Sequence, residues 1–206
     1  LLEGYLAAYK ATQKQAYKEE IKKLLDLMTK VFFDASSNSL IEYFHQDWSV
    51  HEIFGVGIEP GHHFEWIWLL HQAYKLFPNQ HYLDIASLLW KKAQNHGFDP
   101  RGGIYNQIHA TTGDIRDAEK RIWPMTEYLK ALCAHQPTAP ETLLKINESL
   151  EFLFSHYLAE DGAWHEYLDA QNQIKEYPLP GTTSYHIFLG LIEVINWFTR
   201  NKEYRQ

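Results

Sequence analysis

The stretch Glu59–Leu70, EPGHHFEWIWLL, places two histidines, a carboxylate and two tryptophans directly behind a Pro-Gly pair. Proline suits the first position of a helix, and the apolar residues that follow recur at helical spacing. A helix this apolar has no packing reason to open on titratable groups, so its first turn should face something other than core. The rest of the chain shows what. Helical periodicity recurs in at least seven segments, roughly 2–12, 16–31, 62–76, 81–96, 116–134, 141–157 and 184–200. Breakers separate them at Pro78-Asn79, Gly97 through Gly103, Pro137 through Pro140 and Pro178 through Gly181. Between helices lie three stretches of strand character, 31–44, 102–115 and 162–174, each reading as a small β-hairpin around a polar turn.

Those stretches are periodic. Ser39, Gly103 and Gly162 open comparable hairpin arms, 64 and 59 residues apart. Each is followed 20 to 24 residues later by the start of a hydrophobic helix, at His62, Trp123 and His186. A period near 60 that holds two helices and a hairpin signals a repeated αα unit. Such units must either extend as a solenoid or close into a ring. The expectation is an all-α fold, an α/α toroid of the (α/α)6-barrel kind. The chain supplies about half of it, as one partial domain over residues 1–206. Leu1 is not an initiator Met, and LLEGYLAAYKAT already reads as mid-helix, so the expected piece is the C-terminal half. Half a toroid should leave inner-helix faces and the first helix unburied, and self-association into a homo-oligomer or aggregate is expected.

Composition narrows the function. A net charge of −7 favours neither a nucleic-acid partner nor an anionic membrane surface. No apolar run reaches the ~18 residues of a membrane span, and no basic-then-apolar segment opens the chain. The single cysteine, Cys133, excludes an internal disulfide and suits a reducing, cytoplasmic setting. Within YLKALCA it reads as a buried, inert thiol. Aromatic residues are abundant, with 7 Trp, 13 Tyr and 11 Phe, a supply that can pack a core or stack on sugar faces.

His62, Trp123 and His186 occupy equivalent places at the starts of equivalent helices. In a toroid the N-termini of the inner helices converge on one mouth, which makes these three the candidates for a shared pocket. His62 and Glu65, three apart, share a helix face; a carboxylate beside an imidazole raises its pKa. His186, in a first turn, is expected to have its pKa lowered by the helix macrodipole. One histidine pushed up and one pushed down would make an acid–base pair. HHxE is not the HExxH of zinc proteases and shows no third ligand at readable spacing, so no metal is expected. No Gly-rich phosphate loop, serine elbow or Cys-His framework is present.

The segments PGHHFEWIWLL, KRIWPMTEYLKAL and PGTTSYHIFLGLIEV, with the opening LLEGYLAAYKAT, resemble the N-acylglucosamine 2-epimerase family over essentially the whole chain. The resemblance implies an (α/α)6 barrel about twice this length and proton transfer at a sugar C2 through an enediol or enediolate, with no cofactor. It implies His62 and His186 as the two catalytic histidines, Glu65 as partner of His62, and Trp123 as a sugar-stacking residue. The first half would add an arginine and a third histidine, so the fragment alone is expected to be impaired. The TTSYH form resembles the mannose isomerase and sulfoquinovose isomerase branch. The expected activity is therefore aldose–ketose isomerisation of a mannose-like hexose, with 2-epimerisation of N-acylglucosamine or a related sugar as the alternative.

Other residues are weighed on position alone. Trp66 and Trp68 lie two apart and cannot face the same way; Trp66 can reach the pocket or pack in the core. Glu127, four after Trp123, can bind a sugar hydroxyl or form a structural salt bridge. His63 reads as outward-facing or as support, and Trp164 as a wall of the sugar site or as packing. Two other classes stay open: a glycoside hydrolase or lyase, which needs two flanking acids where one is well placed, and a non-catalytic fragment that binds sugar or protein.

Overall fold

A computed structural model describes residues 1–135 and 140–202. Seven helices carry it: α1 (Leu2–Thr12), α2 (Gln15–Leu27), α3 (Pro60–Leu76), α4 (Gln80–His96), α5 (Ile122–His135), α6 (Pro140–Tyr157) and α7 (Thr183–Arg200). The end of α2 winds into a π-helical turn, Met28–Phe32. Helices α3, α5 and α7 lie side by side with α1 beside α3, while α2, α4 and α6 each back the helix that precedes them. This is an arc of an α/α toroid, with an inner row of odd-numbered helices and an outer row of even ones.

The burial pattern follows from those places. In α5 every residue from Ile122 through Cys133 is buried, because α3, α6 and α7 enclose it. The outer helix α4 buries an apolar stripe, Ile85, Ala86, Leu89, Trp90 and Ala93, as an amphipathic helix should, with Lys92 buried beside it. Phe64, Ile67, Leu70, Leu129, Leu132 and Trp197 form the centre of the core. Two glycines set how closely the inner row packs. A Cβ on Gly61 would lie 2.6 Å from Trp123, and one on Gly190 would lie 2.9 Å from the Thr126 carbonyl oxygen. Helix α1 buries Leu2 and Leu6, against the expectation of an unburied first helix. Helix α7 does expose apolar side chains, with Phe188 64 % and Ile195 62 % accessible.

Short antiparallel strands join the helices: β1 (Phe33–Asp34), β2 (Ser39–Leu40), β3 (Gly57–Ile58), β4 (Gln107–His109), β5 (Ile115–Asp117), β6 (Lys120–Arg121), β7 (Tyr167–Leu168) and β8 (Ile174–Lys175). They pair as β1-β2, β3-β4-β5 and β6-β7-β8. In both three-stranded sheets the strand leading into an inner helix pairs with the hairpin that follows the next outer helix. The N-terminal ends of α3 and α5 are thereby tied into small sheets. Two expectations need correction. Residues 116–121 are strand and connection rather than the first turns of α5, because this segment finds its backbone partners in β4 and β7. Gly103 and Gly162 do not open hairpin arms. They sit at φ +84° and +86° in tight turns closed by the bridges Phe98↔Ile104 and Leu158↔Trp164, a conformation that favours glycine. The break expected at Pro137 lies outside the described residues. Among those described, no helix is long and apolar enough to cross a membrane.

Candidate active site

The first turns of α3, α5 and α7 come together, and with them His62, Trp123 and His186. The Trp123 ring lies between the two imidazoles, its centroid 4.9 Å from that of His62 and 5.3 Å from that of His186. All three line a cavity of about 280 Å³, together with Glu59, Glu65, Arg121 and Tyr185. The volume suits a monosaccharide. Trp123 is only 5 % accessible, with both imidazoles, Gly61 and Arg121 against it, so little of the ring is open to the cavity.

A carboxylate attends each histidine, though not the ones that helical spacing suggests. At His62 it is Glu42, from the segment after β2, whose Oε1 lies 3.1 Å from Nδ1. That oxygen also accepts a hydrogen bond from the Glu59 amide at the N-cap of α3, which ties the carboxylate to the helix start. Glu65 lines the same cavity and acts on His62 through space. Burial alone would lower the pKa of His62. Glu42 outweighs it, Glu59 and Glu65 add to the effect, and the imidazole is held up at about 9. His62 is therefore an imidazolium at neutral pH.

At His186 the carboxylate is Glu127, with Oε1 2.7 Å from Nδ1. A carboxylate can only accept, so Nδ1 carries a proton, and in the neutral ring this tautomer keeps the lone pair on Nε2. Glu127 is fully buried, does not line the cavity, and contacts the equally buried Lys130, with Nζ 3.0 Å from its Oε2. Its place is behind the histidine, where no sugar hydroxyl reaches.

Glu166 organises the remaining wall. It accepts from Arg121 Nε at 2.8 Å and from Thr183 Oγ1 at 2.5 Å, joining the strand before α5 to the first residue of α7. Arg121 is thus held over Trp123 and Tyr167. Trp66 does not line the cavity shared by the two histidines; it faces two adjoining spaces, one it shares with Phe32, Phe44, Glu42, His62 and Glu65, and one between α1, α3 and α7. Trp164 packs on Phe154 of α6. His63 is buried, not outward: its Nε2 accepts from the Leu40 amide, docking β2 on α3, and burial pushes its pKa down to about 3.

Local sequence does not single out Glu42, Glu59, Arg121, Tyr185 or Glu166. For two of them the repeat carries a signal. Glu42 stands 20 residues before His62, and Glu166 stands 20 before His186. Each directly follows a residue whose amide bonds back across its turn, Ile41 to the Phe32 carbonyl and His165 to the Tyr157 carbonyl. These are equivalent positions, each binding the start of the next inner helix.

The model of the N-acylglucosamine 2-epimerase family matches residues 1–190. The chain belongs to this family. A D-mannose isomerase of Marinomonas mediterranea is 29 % identical over 97 % of the chain and 55 % of its own length. A mannose-6-phosphate isomerase of Rhizobium meliloti is 28 % identical over 79 % of the chain and 44 % of its own length. Among solved structures, a crystal structure of D-mannose isomerase superposes with a TM-score of 0.83 at 26 % identity, over 95 % of this chain and 54 % of that one. The chain thus spans about half the length of these family members.

Proposed function

We propose that these residues form part of the active site of a sugar isomerase that interconverts a mannose-like aldose and its ketose. The observation that carries this reading is the pair of differently supported histidines on one sugar-sized cavity. His62, cationic at neutral pH, gives a proton to O1 and takes one back from O2. His186, with Nε2 free, removes the proton from C2 and returns it to C1. The intermediate is an enediol, and atoms and charge balance with no cofactor. The similarity to D-mannose isomerases supports the same substrate class.

Charge in the cavity argues for an unphosphorylated sugar. Glu59 and Glu65 line it and Glu42 adjoins it, while the one arginine, Arg121, is already paired with Glu166. A phosphate dianion would meet more carboxylates than cations. Epimerisation at C2 is the second reading, favoured by the two imidazoles flanking Trp123, which could serve opposite faces of one carbon. The test is incubation of the complete polypeptide with D-mannose in deuterium oxide. The account expects a ketose with solvent deuterium at C1, and deuterium at C2 of the aldose re-formed from it. A 2-epimer with deuterium at C2 and no ketose selects epimerisation, and formation of neither ketose nor 2-epimer, with no exchange at C2, removes both readings.

A further inference from the structure

Behind His186 sits a charge that the proton transfer does not use. Lys130 is fully buried on α5, one turn beyond Glu127. Its Nζ lies 3.0 Å from Glu127 Oε2, 3.3 Å from Glu3 Oε1 on α1, and 4.1 Å from the centre of the Trp68 ring on α3. An ammonium sealed from water survives only with close anions. The Glu127 carboxylate is sealed in as well, with the Lys130 ammonium against it. Without the ammonium to hold it, the carboxylate could swing off the imidazole, and His186 would then lose the acceptor that keeps its proton on Nδ1.

We propose that Lys130 is a positioning residue that holds the Glu127 carboxylate aimed at His186 Nδ1, so that His186 presents Nε2 to the substrate. The inference rests on the isomerase reading for its catalytic consequence, though not for its geometry. Three observations agree. Glu127 Oε1 meets both His186 Nδ1 at 2.7 Å and Lys130 Nζ at 3.2 Å, while Oε2 lies 3.0 Å from the same ammonium. The face of Trp68 closes the lysine off, leaving Glu127 and Glu3 as its anionic partners. Burial would lower the lysine's pKa, but Glu127 and Glu3 reverse this and hold it above its usual value. The charged or titratable groups facing this cluster are Glu3 from α1, Glu65 from α3, Glu127 and Lys130 from α5, and Tyr185 and His186 from α7.

The experiment compares Lys130→Met with Lys92→Met in the complete polypeptide. Lys92 is also a buried lysine, but it bonds the Thr111 carbonyl away from the cavity. Three quantities are read: kcat and KM with mannose, the Nδ1–H resonance of His186 in 15N-histidine-labelled protein without sugar, and Tm. Lys130→Met should lower kcat by about 10- to 100-fold, as loss of an outer-shell partner does, with KM within about twofold. It should also abolish or shift the His186 resonance. Lys92→Met should lower Tm while leaving kcat and the resonance in place. An unchanged resonance and kcat in folded Lys130→Met would overturn the proposal. If Lys130→Met does not fold, the double variant Lys130→Met/Glu127→Gln buries no lone charge. It should match Glu127→Gln alone, because both changes break one chain of contacts. A further loss in the double variant, or its failure to fold while Glu127→Gln folds, would assign Lys130 to structure alone and overturn the proposal. A resonance that responds in a protein without isomerase activity would leave Lys130 in place and remove the substrate reading instead.

Discussion

His62 and His186 face one cavity from two helices of the same repeat, yet the protein holds them by different means. The carboxylates around His62 belong to the mouth: Glu42 after a hairpin, Glu59 at a helix cap, and Glu65 on the cavity wall. They outnumber the cations near them and keep the imidazole charged. The carboxylate on His186 lies in the core, with its own charge balanced by Lys130. A balanced carboxylate fixes which ring nitrogen carries the proton without gathering negative charge around the ring. The repeat places two equivalent imidazoles in different surroundings, the difference that the proposed isomerase would use to make one a proton donor and the other an acceptor.

The largest expected effect removes either histidine. His62→Ala and His186→Ala should each reduce kcat by about 10² to 10⁴, the range for general acid–base groups; steady-state kinetics with mannose measures it. Near wild-type turnover in one variant would break the pairing. Next comes Glu42→Gln, which should exceed Glu65→Gln, because Glu42 touches the ring and Glu65 acts at a distance. Its signature is a pH profile whose alkaline limb moves to lower pH by about one unit or more. A larger effect from Glu65→Gln would make helical spacing the better guide. Trp123→Ala should follow, and it should raise KM and lower kcat together. The buried ring separates both imidazoles, and its loss lets each shift; a change in KM alone would restore the simple stacking platform. The smallest effect on activity is expected from Gly190→Ala. Its Cβ meets backbone of α5, so the cost of about 1–3 kcal/mol should appear as a lower Tm.

Much of this was legible in the chain. The 60-residue period gave the inner and outer helices, because apolar periodicity and breakers are local signals that tertiary packing did not override. Residues 116–121 were misread because their apolar and charged mixture suits a helix, while their actual partners are strands far away in sequence. In the site, the three helix starts registered correctly. Glu65 was taken as the partner of His62 because spacing along one helix can be read, whereas Glu42 reaches the ring across an irregular connection. The spacing of Glu127 after Trp123 leaves a sugar ligand and a structural salt bridge equally open, and its burial against Lys130 and His186 favours the second. Pairings between elements leave a trace in sequence only where the repeat copies them, as with Glu42 and Glu166.

The sign of the His62 shift also sets a stability dependence. Its folded pKa lies above the ordinary histidine value of 6.5, so its ion cluster contributes fully below about that pH. The contribution is lost as pH rises through about 9. The most direct test of the account is an NMR titration of His62 in 15N-histidine-labelled protein, assigned by comparison with His62→Ala. The account predicts a midpoint near 9 that falls in Glu42→Gln. A midpoint at or below 6.5, unmoved by Glu42→Gln, would contradict the assignment of His62 as the standing proton donor.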